Sequence, residues 1–245
     1  MNDTKTIYED NDILIVDKPS GVIVNKADTT RGEVTVQDWL EKRFGIQESR
    51  FKNEEEHAFY KRVGIVHRID KETSGILIVA KNLASFENLQ AQFKERKVEK
   101  VYVALAHGRI EPTDGEVSVP VGRLPWNRTR FGVLAGGKEA TTRYKVISTF
   151  QSPIRQKEEL TLLELYPKTG RTHQIRVHLK YINHPIFGDE LYAGRKTARD
   201  DRKILPRFFL HAKKISFFHP QTGKRLEFEI PLPKELQNVL DVLGR

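Results

Sequence analysis

Apolar residues in this chain come in short runs, Ile13–Val16, Ile76–Ala80, Val101–Ala106 and Leu160–Tyr166 among them, most of them closed by a glycine- or proline-bearing turn. Runs of this length, rich in β-branched side chains, describe buried strands. Ile76–Ala80 is far short of the roughly 20 apolar residues that cross a bilayer, and Met1-Asn2-Asp3-Thr4-Lys5 has no apolar signal region. The expectation is a soluble, cytoplasmic protein with no membrane partner. Helical periods lie between the runs. Val36, Trp39, Leu40 and Phe44 recur at helical spacing ahead of Gly45, which predicts an amphipathic helix with Trp39 on its core face. Asn82 is placed to cap a second helix bearing Leu83, Phe86, Leu89 and Phe93. Val117, Val119 and Val121 alternate through one strand and Thr141–Ser148 form another; Phe208–Ala212, Ile215–Phe218 and Leu226–Ile230 follow, then a helix with Leu236, Leu240 and Leu243. Residues 47–62 show neither period and are expected to be a loop. With no repeat and no long linker, the pattern predicts one α+β domain over residues 1–245, largely antiparallel.

Charge narrows the partners. The 42 Lys and Arg against 33 Asp and Glu leave a formal +9, a field that attracts polyanions, nucleic acid first. The absence of cysteine removes disulfides, thiolate zinc sites and a thiol nucleophile, and fits a reducing compartment. Gly122–Lys138 is expected to be a glycine-containing loop in which Arg123, Arg128, Arg130 and Lys138 interleave with Trp126 and Phe131. Alternating cations and aromatics suit phosphate neutralisation with base stacking, so RNA contact is expected here.

The stretch His67-Arg68-Ile69-Asp70-Lys71-Glu72-Thr73-Ser74-Gly75 sets one carboxylate between cations, in a strand–loop–strand layout. By composition alone it reads as a solvated connector, its charges facing water. Downstream, Pro167-Lys168-Thr169-Gly170-Arg171-Thr172 delivers Arg171 just before a helix expected to start near Thr172 and to carry Ile175, Leu179 and Ile182 on its apolar stripe. Several motif matches fail. Gly132–Lys138 fits a P-loop in its glycines and lysine, but Glu139 stands where a magnesium-binding hydroxyl is required and no helix follows. His67–Asp70 has one residue too many for a kinase catalytic loop. His173, His178 and His184 lack the spacing of a helical zinc pair, so no metal is expected.

The ordered segments Asp17-Lys18-Pro19-Ser20-Gly21, His67–Gly75, Lys100-Val101-Tyr102, Gly170–His178, His184–Asp189 and Leu210-His211-Ala212 resemble the RluA family of RNA pseudouridine synthases, whose central signature stands intact at His67–Gly75. The resemblance runs across nearly the full chain. It implies the pseudouridine synthase fold, a central mixed and mostly antiparallel sheet flanked by helices and loops around an RNA cleft. It implies isomerisation of uridine to pseudouridine in structured ribosomal or transfer RNA, without cofactor or metal. Many relatives carry an N-terminal S4-type RNA-binding domain, which is not expected here because the matching segments begin so near Met1. Carried over by position, Asp70 initiates cleavage, either by attacking a carbon or by removing the C2′ proton; both routes stay open. Arg171 would pair with Asp70, Tyr102 would stack on the uracil and help remove the C5 proton, and Ile175 would wall the pocket. Arg68 would fill the space left by a flipped uridine, and His67 and His173 join the basic loop as RNA contacts. A non-catalytic RNA-binding factor on the same fold is the alternative, and a monomer is expected.

Overall fold

In the computed structural model, residues 4–27, 30, 32–45, 54–155 and 157–244 are described. The elements in chain order are β1 (Lys5–Glu9), β2 (Ile13–Lys18), α1 (Val36–Phe44), α2 (Glu54–Arg62), β3 (Ser74–Ala80), α3 (Leu83–Lys94), β4 (Glu99–His107), β5 (Asp114–Ser118) and β6 (Val121–Leu124). Then follow β7 (Asn127–Val133), β8 (Thr141–Gln151), β9 (Glu159–Pro167), α4 (Gln174–Tyr181), α5 (Arg195–Asp201), β10 (Leu210–Phe218), β11 (Arg225–Glu229) and α6 (Lys234–Leu243). The class is α+β, as expected. The chain forms two compact units, residues 1–98 with 214–230 and residues 99–213 with 231–245.

In the first unit β2 pairs antiparallel with both β1 and β3, and the last five residues of β10 pair antiparallel with β11. Ile13, Ile15, Ile76 and Ile78 meet Phe86 and Leu89 of α3 and Phe217 of β10 in one core. Asn82 caps α3 by accepting from the Ser85 amide at 2.9 Å, and Thr35 with Asp38 closes a capping box on α1, which Gly45 ends at φ 64°. Trp39 departs from its expected place. It is only partly buried, and the Arg43 guanidinium lies 5.3 Å over its ring. The expected loop over 47–62 is corrected too, because residues 54–62 form α2; residues 46–53 lie outside those described. Phe59 and Tyr60, on the helix's last turns, supply the apolar contacts that stabilise it against the core.

One buried lysine ties this unit's loops together. Lys18 has no solvent exposure, and its ammonium donates to the carbonyls of Pro19 and Val22 at 2.8 Å and of Lys71 at 3.0 Å. The Gly21 amide also reaches the Lys71 carbonyl at 2.9 Å, and the Ser20 hydroxyl donates to the Glu72 carbonyl at 2.8 Å. The Asp17–Gly21 turn is therefore a cradle under residues 71–72. Gly64, at φ +75°, is held to glycine for a second reason: a Cβ there would lie 1.9 Å from the Ala80 carbonyl oxygen.

In the second unit the ladder runs β4-β9-β8-β5, antiparallel throughout. Leu105, Leu163, Leu165, Phe187, Phe209 and Leu236 are fully or almost fully buried in its core. The alternation at Val117, Val119 and Val121 does not make one strand; it breaks at Pro120, which has no amide to donate, into β5 and β6. Leu210–Ala212 and Ile215–Phe218, expected within separate strands, are parts of β10, while Phe208 and Phe209 precede it. Buried charges staple the loops. Asp201, at the end of α5 and with no exposure, accepts from the Gly188 amide at 3.0 Å, lies 2.9 Å from His107 Nε2, and pairs with Arg155 at 3.3 Å.

Two outcomes follow from this packing. Lys18→Met removes a buried charged donor from three backbone carbonyls and should lower unfolding free energy by about 3 kcal/mol, read as a lower urea midpoint at unchanged slope; an unchanged midpoint would show that the cradle does not depend on the ammonium. The second concerns acid. Burial raises the Asp10 carboxyl, but hydrogen bonds from the Ile13 and Asp12 amides, Tyr8 and His219 outweigh it and hold its pKa at about 2. A carboxylate held below its ordinary 3.8 contributes stability above that value and loses it as pH falls towards 2. Asp10→Asn should therefore show a shallower fall in Tm between about pH 4 and pH 2 than the parent, and an equally steep fall would remove Asp10 from the account.

Candidate functional site

The Asp70 loop joins α2 to β3 within the first unit. Ile69 is 5% exposed and anchors it, whereas Arg68 is exposed and Asp70 is half-buried, so the alternation turns Arg68 and Asp70 away from the core. The Thr73 amide donates to the Asp70 carbonyl at 3.1 Å, closing the turn that leads into β3. The Thr73 hydroxyl is buried and has no hydrogen-bond partner among the described residues, an unmet donor within one turn of Asp70. His67 sits at the loop's start. Its Nε2 accepts from the Ile78 amide at 2.9 Å, which places the proton on Nδ1, and its ring stacks on Phe93 at 4.8 Å. That geometry ties the loop to β3 and α3.

The second unit carries Tyr102, Arg171, His173 and Ile175. Tyr102 stands on β4 opposite Leu165 of β9 and packs, half-buried, against the unit's core. Strand alternation puts Lys100 on the same face, where burial pushes its ammonium down to about 8. Arg171 lies on the turn before α4, and its Nε–H donates to the Glu139 carbonyl at 3.0 Å, which orients the guanidinium plane. The helix begins at Gln174, two residues later than the expected start, because Gln174 uses its own side chain on the turn. Its Oε1 accepts from the Arg171 amide at 3.0 Å and the Thr169 hydroxyl at 2.6 Å, and its amide group donates to the Thr141 carbonyl at 3.0 Å. His173 occupies the N-cap at φ 56°. Ile175 is 7% exposed and belongs to the core cluster.

The segment expected as a loop over Gly122–Lys138 is instead mostly the β6–β7 hairpin, with Arg123 opposite Phe131 and the Arg123 guanidinium 5.0 Å over the Phe131 ring. Cross-strand pairing satisfies backbone groups that a loop would leave to water. Arg123 and Lys138 are exposed and Arg130 is half-buried; the Arg128 side chain lies outside what is described. Tyr192 fixes the hairpin to the arginine turn. Its hydroxyl oxygen accepts from the Phe131 amide at 3.1 Å and lies 2.9 Å from His173 Nδ1, while Phe131 and Tyr192 both meet the His173 ring edge-on. Below it, Arg176 pairs with Asp189 at 2.7 Å and lies 4.9 Å over the Tyr192 ring. Sequence reasoning assigned no role to Lys18, Gln174 or Tyr192. The first two stand inside segments already singled out, and Tyr192 follows one of them by three residues.

Among the described residues, Asp10, Asp12 and His219 come close enough to hold a metal ion. The histidine's tautomer opposes it. His219 Nδ1 accepts from the Gln221 and Thr222 amides at 3.2 and 3.1 Å, so the proton is on Nε2, which donates to Asp10 at 3.0 Å. Metal binding at Nε2 would move that proton to Nδ1, against two backbone donors. The cluster is a tie between the β1–β2 and β10–β11 turns.

The comparisons with known proteins bear on what these groups do. Residues 12–181 match the family described as RNA pseudouridylate synthase. The chain is 38% identical over 243 residues to an uncharacterized RNA pseudouridine synthase, YlyB, of Bacillus subtilis, covering 99% of this chain and 74% of that one. It is 34% identical over 245 residues to the ribosomal large subunit pseudouridine synthase D of Pseudomonas aeruginosa, covering 97% and 71%. Among solved structures, human RNA pseudouridylate synthase domain containing 1 superposes with a TM-score of 0.70 at 26% identity, over 99% of this chain and 95% of that one. The chain belongs to the RNA pseudouridylate synthase family and is an enzyme of that kind, an isomerase that turns uridine in RNA into pseudouridine.

Proposed function

We propose that Asp70 is the carboxylate that opens the reaction, that Arg171 pairs with it and orients it, and that Tyr102 faces the uracil. The observation that carries this reading is the family match over residues 12–181, which contains the Asp70 loop, β4 and the Arg171 turn in one span. Both units then act as one catalytic domain. Uridine and pseudouridine are isomers, so the chemistry balances without oxidant, reductant or co-substrate. The C1′–N1 bond breaks, the base turns, C5 bonds to C1′, and the C5 proton leaves while N1 gains one. Asp70 starts this by attack on a carbon or by taking the C2′ proton. A planar guanidinium suits Arg171's task, because its terminal nitrogens can meet both oxygens of a carboxylate while Nε stays on Glu139. Tyr102 supplies an aromatic face for the detached base and accepts or relays the C5 proton. Ile175 lines the pocket, and exposed Arg68 fills the gap left when the uridine leaves its stack.

The substrate in this reading is structured RNA, with large-subunit ribosomal RNA the first candidate because the Pseudomonas aeruginosa relative carries that name. Arg123, Arg128, Arg130, Lys138 and His173 grip its backbone, and His67 supports the loop that presents Asp70. No described helix is long and apolar enough to cross a membrane; in this reading the protein acts on RNA as a cytoplasmic monomer.

Asp70→Asn should bind RNA within a few fold of the parent and yield no pseudouridine when the RNA is mapped by chemical labelling; full turnover in that variant rejects the mechanism. The double variant Arg123→Gln with Arg130→Gln should weaken binding and flatten the dependence of log affinity on log salt by roughly 0.7–0.9 for each phosphate no longer neutralised. An unaltered slope would take the hairpin out of the interface.

A further inference from the structure

Trp126 stands in the turn that joins β6 to β7 and is 76% exposed, against 53% for Tyr181, the next most exposed aromatic among the described residues with large apolar exposure. Water around an indole ring is unfavourable, and a two-residue hairpin turn has no structural need for tryptophan. The turn that carries the ring is also held by its neighbours. Pro125 before it has a fixed φ, and the Asn127 side chain after it accepts from the Thr129 hydroxyl at 2.7 Å and the Thr129 amide at 3.3 Å. At the other end of the hairpin, Val121 is 3% exposed and the Phe131 amide is held by the Tyr192 hydroxyl. Phe131 already carries the Arg123 guanidinium on its face and His173 against it, so Trp126 is the hairpin's uncommitted aromatic face. Its electrostatic setting is one-sided. From Val117 to Lys138 the sequence has no acidic residue and contains Arg123, Arg128, Arg130 and Lys138.

From this geometry we infer that Trp126 is a stacking platform for an unpaired base of the RNA, separate from the uridine that is isomerised. The inference rests on the reading that the hairpin contacts RNA, and deepens it by naming what the tip recognises. A cationic stem that follows phosphates brings nucleic acid to the tip, and an indole face selects single-stranded over paired RNA because only an unpaired base offers a free π-face. The hairpin then places the enzyme by a loop or bulge next to its target, and does so without reading base identity.

The protein has two tryptophans, and the other, Trp39, is partly buried on α1 in the first unit. In a Trp39→Phe background, emission therefore reports Trp126 alone. The probes are a short RNA stem closed by a seven-nucleotide loop and a blunt duplex of the same stem. The loop probe should quench Trp126 emission by about half or more at saturation and the duplex should leave it nearly unchanged. In the parent chain, Trp126→Ala should weaken binding of the loop probe about tenfold with the salt slope intact, and Trp126→Phe should recover most of that loss. Equal quenching by both probes, or unchanged affinity in Trp126→Ala, overturns the platform. The two readings fail separately. If Arg123→Gln with Arg130→Gln flattens the salt slope while Trp126 emission does not respond to the loop probe, the hairpin binds RNA and the stacking inference alone is wrong; if neither responds, both are wrong.

Discussion

The buried ammonium of Lys18 is the interaction on which the Asp70 loop depends. A lysine with no exposure is tolerated only when its charge is met, and here three carbonyls meet it, one of them from Lys71, the residue after Asp70. The loop's own turn, Thr73 to Asp70, is local and weak; the cradle from Pro19 to Val22 adds contacts from more than 50 residues away in sequence. Once the backbone at Lys71 and Glu72 is held, Ile69 is fixed inward and Asp70 outward by simple alternation. Under the proposed role of Asp70, the placement of that carboxylate thus relies on a cation more than 50 residues away in sequence.

The second unit uses the same device with different groups. Arg176 and Asp189 form a bidentate pair almost out of solvent, and the Asp189 carboxylate also takes the Leu191 and Tyr192 amides at 3.0 and 3.2 Å. Both carboxylate oxygens have a donor, so the pair holds its loop rather than weakening the core. From it the ordered chain continues through Tyr192 to His173 and Phe131, joining the arginine turn and the basic hairpin into one framework. A cationic surface held this way is ordered in advance, which under the proposed RNA role lowers the entropic cost of binding.

Strands and helices with their own period were legible. Ile13–Val16, Ile76–Ala80, the Asn82-capped helix and the Gly45 stop all appear where local rules put them, because each is decided by residues within a few positions of one another. The departures share a cause. The basic segment 122–138 reads as a loop by its glycines, yet Gly122 and Gly132 face one another across a hairpin whose partners lie about ten residues apart. Helix α2 has little apolar period and is held by packing of Phe59 on Phe86. Trp39, on the same helical period as the buried Val36 and Leu40, stays partly exposed and carries Arg43 of its own helix on its face.

The family and its chemistry were nameable from ordered motifs alone, because members of one family keep their motifs in one chain order on a common fold, and the same motifs single out Asp70, Tyr102 and Arg171 as the proposed site. The cradle of Lys18, the hydroxyl bridge of Tyr192, the tautomers of His67 and His219 and the exposure of Trp126 became visible only in three dimensions. Each is a matter of what a polar or aromatic group meets after folding, and the contacts Lys18–Lys71, Tyr192–Phe131, His67–Ile78 and His219–Asp10 join residues from roughly ten to more than two hundred apart in sequence, beyond the reach of any local pattern.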